Sequence, residues 1–173
     1  MDATQESEPT LMENKASVER TSERELVVTR TVSGPARIVF EAWTKPELFE
    51  RWWVPKSFPI TLLSCEMDVR LGGSYRLEFG HEGSTFEFFG RYLEVTPYSR
   101  LVWTNDEGDE GGTVTTVTFE EQAGKTLLVV HDLYPSKEAL DAAIASGSTS
   151  GMPESLDQLD ELLVSLGPSA GRS

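Results

Sequence analysis

Along the chain, apolar positions recur with a period of two, then of three to four, then of two again, and finally of three to four. From Glu25 to Val32, Leu26 and Val28 alternate with charged or polar neighbours, the pattern of a half-buried strand. Ser33-Gly34-Pro35 stops that strand and starts a helix, because proline suits the first helical turn. Ala36, Val39, Phe40 and Trp43 follow at i, i+3, i+4 and i+7 and make one apolar face. Thr44-Lys45-Pro46-Glu47 resembles a capping box with proline in the first turn. It introduces Leu48, Phe49, Trp52 and Trp53 as a second short amphipathic helix.

From Ile60 to Tyr134 six strand segments are predicted, at 60–70, 73–79, 85–96, 100–105, 113–121 and 125–134. Glycine-rich or proline-containing turns separate them, and such short connections permit only hairpins, hence an antiparallel meander. Tyr75, Leu77 and Phe79 share one face of their strand, as do Phe86, Phe88, Gly90 and Tyr92 of the next; Leu101 and Trp103 share a third. After Pro135 the period returns to that of a helix. Ser136 is the expected N-cap, Ala139, Leu140, Ala143 and Ile144 form a first stripe, and Met152, Leu156, Leu159, Leu163 and Leu166 form a second. Gly147 to Gly151 interrupts the two, which predicts a bend or a helix in two pieces. The expected fold is α+β: a seven-stranded antiparallel sheet, two short helices after strand 1, and a long C-terminal helix covering one sheet face. Residues 1–23 and 167–173 lack sustained periodicity and read as disordered tails around one domain at 24–166.

Charge narrows the partners. The 173 residues carry 15 Lys+Arg against 29 Asp+Glu, a net charge of -14. That balance opposes nucleic acid and anionic lipid surfaces. Much of the acidity falls in Asn105 to Glu121 and in the C-terminal helix, on positions that read as solvated outside, so selectivity for a ligand must come from an uncharged interior. Cys65 is the only cysteine, and His81 and His131 lie apart from it, so neither a disulfide nor a zinc cluster is expected, and no cofactor motif is found. The first 24 residues lack the apolar core of a secretory signal, and the longest apolar run, Leu127 to Val130, cannot span a bilayer. A cytoplasmic protein without membrane insertion is expected, as a monomer or weak homodimer.

Five segments carry a family resemblance. They are Ala36 to Glu47, Arg51-Trp52-Trp53-Val54-Pro55-Lys56, Cys65 to Gly73, Arg100-Leu101-Val102-Trp103-Thr104, and Gly151-Met152-Pro153-Glu154-Ser155-Leu156-Asp157-Gln158-Leu159. Together they resemble the START-like, or SRPBCC, superfamily, in the branch named after the activator of heat-shock protein 90 ATPase, over about Glu25 to Leu166. The resemblance implies a helix-grip (START/Bet v-like) fold: a curved sheet gripping the C-terminal helix, with a cavity in which many relatives hold a hydrophobic ligand. Family functions range over lipid and hormone binding, polyketide aromatase or cyclase activity, and co-chaperone action linked to stress response. The chain departs from the family pattern twice. Val54 follows the Trp-Trp pair where relatives commonly have glycine, and the nearest equivalent of a Gly-Trp in the last helix is Gly151-Met152 or a later position. Both departures imply a differently shaped pocket mouth.

The candidate ligand-binding residues are Trp53, Cys65, Met67, Tyr75, Leu77, Phe86, Phe88, Tyr92, Trp103, Met152, Leu156 and Leu159. Lining a cavity, they would suit a flat apolar ligand, with tyrosine hydroxyls and indole N–H groups giving orientation. The plain alternative for each is packed core. Cys65 has no activating partner in the sequence and reads as a small buried hydrophobe. His131 and Asp132 are strand neighbours and point to opposite faces, and the apolar run before them leaves open which face is inward. Asp68, Arg70, Arg76, Glu78, Glu87 and Arg91 read as a cross-strand charge ladder on the solvated face.

Three functions remain open. The first is a binding protein for a small apolar or aromatic molecule, with no clear catalytic group. The second is a cyclase-like enzyme, for which Tyr75, Tyr92 and His131 are the only acid–base candidates. The third is a module docking on a chaperone partner through its acidic surface.

Overall fold

The computed structural model describes residues 16–106, 112–147, 149 and 151–170. The expected tail segments at 1–15 and 171–173 lie outside them. Eight antiparallel strands form the sheet: β1 (Ser17–Arg20), β2 (Glu25–Val32), β3 (Thr61–Met67), β4 (Ser74–His81), β5 (Ser84–Thr96), β6 (Arg100–Asn105), β7 (Thr113–Gln122) and β8 (Lys125–Leu133). Their order is β1-β2-β8-β7-β6-β5-β4-β3, so β3 to β8 are the expected meander and β2 closes onto the last strand.

The eighth strand corrects the expectation of seven. β1 falls in the stretch read as tail because all four of its side chains are exposed, which leaves no alternation to detect. Backbone pairing places it, from Ser17 opposite Thr29 to Arg20 opposite Leu26, with an ion pair from Arg20 to Asp141 of the helix at 137–146. Register shifts at Leu62/Ser64 in β3 and Tyr92/Glu94 in β5 bend the sheet, since a bulge puts two residues against one and increases local twist. Asp68 and Arg70 lie beyond the end of β3 and pair with each other at 2.9 Å, while Arg76 and Glu87 pair across β4 and β5.

Among the described residues four helices complete the fold: α1 (Ala36–Thr44), α2 (Pro46–Phe49), α3 (Lys137–Ser146) and α4 (Gly151–Ala170). The Thr44 capping box does not form. Thr44 Oγ1 instead donates to Phe40 O at 2.9 Å, the last turn of its own helix, and Lys45 takes the cap position of a four-residue α2. Ser136 does cap α3, accepting from Ala139 N at 3.0 Å, and Gly147 ends that helix in the left-handed conformation that glycine adopts freely. Of the first expected stripe only Leu140 is buried, whereas Ile144 is 42% exposed. α4 extends past Leu166, where the domain was expected to end, as far as Ala170.

The core lies between α4 and the concave sheet face. Leu156, Leu159 and Leu163 of α4 join Val28 and Val32 of β2, Val117 and Phe119 of β7, and Leu128 and Val130 of β8 in one buried cluster. α1 packs on β7 and β8 beside it, burying Val39, Phe40 and Trp43. One charge enters this layer. Arg30 is 5% exposed and reaches Asp157 and Asp160 of α4, tying β2 to the helix.

Candidate functional site

The segment after α2 determines where the grip stays open. Trp52 is fully buried, and its indole N–H donates to Ala42 O at 3.0 Å, closing an otherwise unpaired carbonyl in the last turn of α1. The next residues are stitched to the start of α4. Gln158 Nε2 donates to Trp52 O at 2.9 Å and Val54 O at 2.8 Å, its Oε1 accepts from Lys56 N at 2.8 Å, and Ser155 Oγ donates to Trp53 O at 2.6 Å. Glu154 accepts from Ser57 N at 2.9 Å. Two of the sequence segments that carry the family resemblance are thereby bonded to each other.

Between this wall and the far half of the sheet lie two adjoining cavities that share Trp53 and Phe88. The larger has a volume of about 360 Å³. Its walls are Leu26 and Val28 of β2; Trp53, Val54, Pro55, Phe58 and Ile60 of the segment after α2; Phe79, Phe86 and Phe88 of β4 and β5; and Gly151, Met152 and Ser155 of α4. Val54, Gly151 and Met152 all line it. Gly151 is held close to the wall: a Cβ there would lie 3.1 Å from both Pro55 Cγ and Phe58 Cζ. Phe86 and Phe88 keep over a third of their surface accessible, an unusual state for phenylalanine that facing a cavity explains.

The smaller cavity, about 40 Å³, is lined by Trp43, Phe49, Trp53, Met67, Tyr75, Leu77, Phe88, Tyr92, Trp103 and Asn105. It has room for a water molecule and little more. Trp43 Nε1 is buried without a hydrogen-bond partner among the described residues. The Tyr75 hydroxyl donates to Thr104 O at 2.7 Å and lies 3.1 Å from Asn105 Oδ1.

Among the described residues, Asp132 is the one charged side chain on the lining of either cavity. It sits opposite Leu26 of β2 and Thr115 of β7, on the inward face. His131 faces the other way and lies 2.7 Å from Glu25, which holds the Glu25 carboxyl below its ordinary range. Thr115 Oγ1 donates to Asp132 Oδ1 at 2.5 Å and accepts from Asn105 Nδ2 at 3.0 Å. A chain of polar contacts thus runs from Tyr75 through Asn105 and Thr115 to Asp132, linking the walls of the two cavities. Burial raises the Asp132 pKa above the ordinary aspartate value, opposed by the Thr115 hydrogen bond and the nearby His131. Tyr134 lines the same end, its phenol pushed up to about 12 by burial and by the Asp132 charge.

Of the twelve candidate residues, nine line a cavity. Met67, Tyr75, Leu77, Tyr92 and Trp103 face the smaller one, Phe86 and Met152 the larger, and Trp53 and Phe88 both. Leu156 and Leu159 do not: both are fully buried in the core against the sheet. They share the stripe that starts at Met152, but of α4 only Gly151, Met152 and Ser155 border the cavity, and a periodic stripe does not show where a void ends. Cys65 also lines neither cavity. Its sulfur lies 3.5 Å from Met67 Sδ, and burial, with the Glu50 charge, pushes the thiol up to about 11, which leaves little nucleophilic thiolate at neutral pH. The acid–base candidates are poorly placed. Tyr75 is hydrogen-bonded to backbone, burial drives the Tyr92 phenol further up from its ordinary range, and His131 points away.

Sequence reasoning did not select Asp132, Tyr134 or Phe58. Strand pairing was the missing signal for the first, because Leu26 fixes the inward face of β2 and stands directly opposite Asp132.

A curved antiparallel sheet closed over a C-terminal helix, with an apolar cavity at the open end, defines the helix-grip class. The family model described as "Activator of Hsp90 ATPase homolog 1-like protein" matches residues 33–164, and the chain belongs to that family. Among solved structures, it is similar to a protein from Chromobacterium violaceum at 31% identity and a TM-score of 0.68, over 81% of this chain and 97% of that one. A protein from Rhodobacter sphaeroides matches at 25% identity and a TM-score of 0.79, over 88% and 99% of the two chains. An AHSA1-like protein from Aeromonas hydrophila shares the fold at 18% identity and a TM-score of 0.61, over 82% and 94%. No curated protein matches the chain. Among the described residues no helix is long and apolar enough to cross a membrane.

Proposed function

We propose that this protein is a cytoplasmic binding protein whose larger cavity holds a small hydrophobic or aromatic molecule. The observation that carries the reading is the cavity of about 360 Å³ at the open end of the grip. Its volume lies within the range of small-molecule sites, and its lining is largely aromatic and aliphatic with a few polar groups at one end. Burial of an apolar ligand there gains hydrophobic free energy in proportion to the area removed from water. The three acid–base candidates on which a cyclase reading rests, Tyr75, Tyr92 and His131, do not line this cavity.

The test is a fluorescence titration with N-phenylnaphthylamine, a neutral apolar dye that brightens on leaving water. Saturable binding is expected to the wild type. Met152→Trp, which fills the cavity from α4, should weaken it about tenfold or more. Absence of saturable binding, or binding indifferent to Met152→Trp, overturns the reading.

A further inference from the structure

We propose that the ligand of the larger cavity is a hydrophobic amine, its ammonium group held by Asp132 and its apolar body lying among Trp53, Phe58, Phe86 and Phe88. This rests on the reading of that cavity as a ligand site and adds the chemical class of the occupant.

The geometry divides the two oxygens of Asp132. Oδ1 is taken by Thr115, which is itself held by Asn105. Oδ2 has no hydrogen-bond partner among the described residues, and Asp132 borders the cavity, so part of its surface is open to it. The side chain lies on the inward sheet face and on the cavity lining, which places that surface toward the cavity. The site thus presents one oriented acceptor.

The surroundings supply no counter-charge. Among the described residues no Lys, Arg or His lines the cavity, and His131 is turned to the other face and occupied by Glu25. A carboxylate facing an apolar space is costly unless a cation meets it. An ammonium group does so with up to three donors, one for Oδ2 and another for the Tyr134 hydroxyl on the same lining. The aromatic walls add to the preference, because ring faces attract cations. A neutral alcohol fills the same volume but leaves the carboxylate charge unmatched, and a carboxylic acid adds a second negative charge. The net charge of -14 further enriches cations around the protein.

Isothermal titration of the full chain near neutral pH with naphthylmethylamine, naphthylmethanol and naphthoate tests this. The three share an apolar body and differ in charge. The amine is expected to bind about tenfold more tightly than the alcohol, with naphthoate weakest, and Asp132→Asn should bring amine and alcohol within about twofold of each other. Asn retains an acceptor for Thr115, so alcohol affinity close to that of the wild type shows that the variant's cavity is intact. If the alcohol binds the wild type as well as the amine does, or Asp132→Asn keeps the amine preference, the amine proposal falls and the cavity reading stands. If none of the three probes binds, or their binding is unaffected by Met152→Trp, the cavity reading falls and takes the proposal with it.

Discussion

Thr115 donates its hydroxyl to Asp132 Oδ1 at 2.5 Å, and this hydrogen bond fixes the one charged side chain that lines either cavity among the described residues. Thr115 is buried on β7, directly opposite Asp132 on β8, so the pair belongs to the sheet itself and not to a mobile loop.

The stability of the protein should therefore carry a pH signature of Asp132. Burial raises the folded-state pKa above the ordinary 3.8, so the folded protein binds this proton more tightly than the unfolded chain. That contribution is present in full at low pH and is lost as pH climbs from the ordinary value through the folded one. Asp132→Asn removes the loss. Thermal melts across a pH series should show the variant more stable than wild type at neutral pH, with the gap closing as pH falls toward 3.8. A wild type that is the more stable at neutral pH contradicts this.

Trp43 and Trp52 make ring contact at 4.8 Å, yet only one uses its N–H. Trp52 Nε1 bonds Ala42 O, whereas Trp43 Nε1 has no partner among the described residues. Replacement by Phe removes similar volume at each site, so the difference isolates the hydrogen bond. Trp52→Phe should cost about 1–3 kcal/mol more than Trp43→Phe in urea denaturation, because it strands a buried carbonyl. Equal costs would show that Ala42 O finds another donor.

Arg30 offers a contrast between removing a buried charge and stranding it. Asp157→Asn with Asp160→Asn leaves the guanidinium buried without a negative partner. About 3 kcal/mol of stability should be lost, the low end for a broken buried pair because Asp157 is 59% exposed. Arg30→Met removes the charge and lets both acids hydrate, so its denaturation midpoint should lie above that of the double variant. The reverse order would refute the buried-charge explanation.

Gly90 allows β5 to approach β6. A Cβ there would lie 1.9 Å from Thr104 O, closer than any carbon can sit, and Thr104 O also accepts the Tyr75 hydroxyl. Gly90→Ala should cost stability at or beyond the upper end of about 1–3 kcal/mol, with loss of the Tyr75 hydrogen bond visible in the tyrosine absorbance spectrum. Wild-type stability would mean that the strands separate freely at this point.

The elements were legible where local pattern decides them. Tyr75, Leu77 and Phe79 alternate in the sequence and alternate in burial, and Ser136 and Gly147 mark the two ends of α3 as their chemistry suggests. What escaped depends on pairing between distant segments. β1 has no buried side chain and is held by backbone bonds to β2 and by the Arg20–Asp141 ion pair to α3. The acids Asp157 and Asp160 read as part of a solvated helix face, yet they meet Arg30 from a strand 127 residues earlier in the case of Asp157. Asp132 has apolar neighbours on both sides of its strand, so its orientation is set by its register against Leu26 and Thr115. The void escaped for another reason. Leu156 and Met152 lie on one stripe, but only three-dimensional packing separates a residue that fills the core from one that borders a space.

The most direct test of the central claim is a crystal structure determined under xenon pressure, because xenon enters apolar cavities that stay dry. Xenon density is expected in the larger cavity, bordered by Trp53, Phe88 and Met152. Side chains closing that space, with no xenon among them, would contradict it.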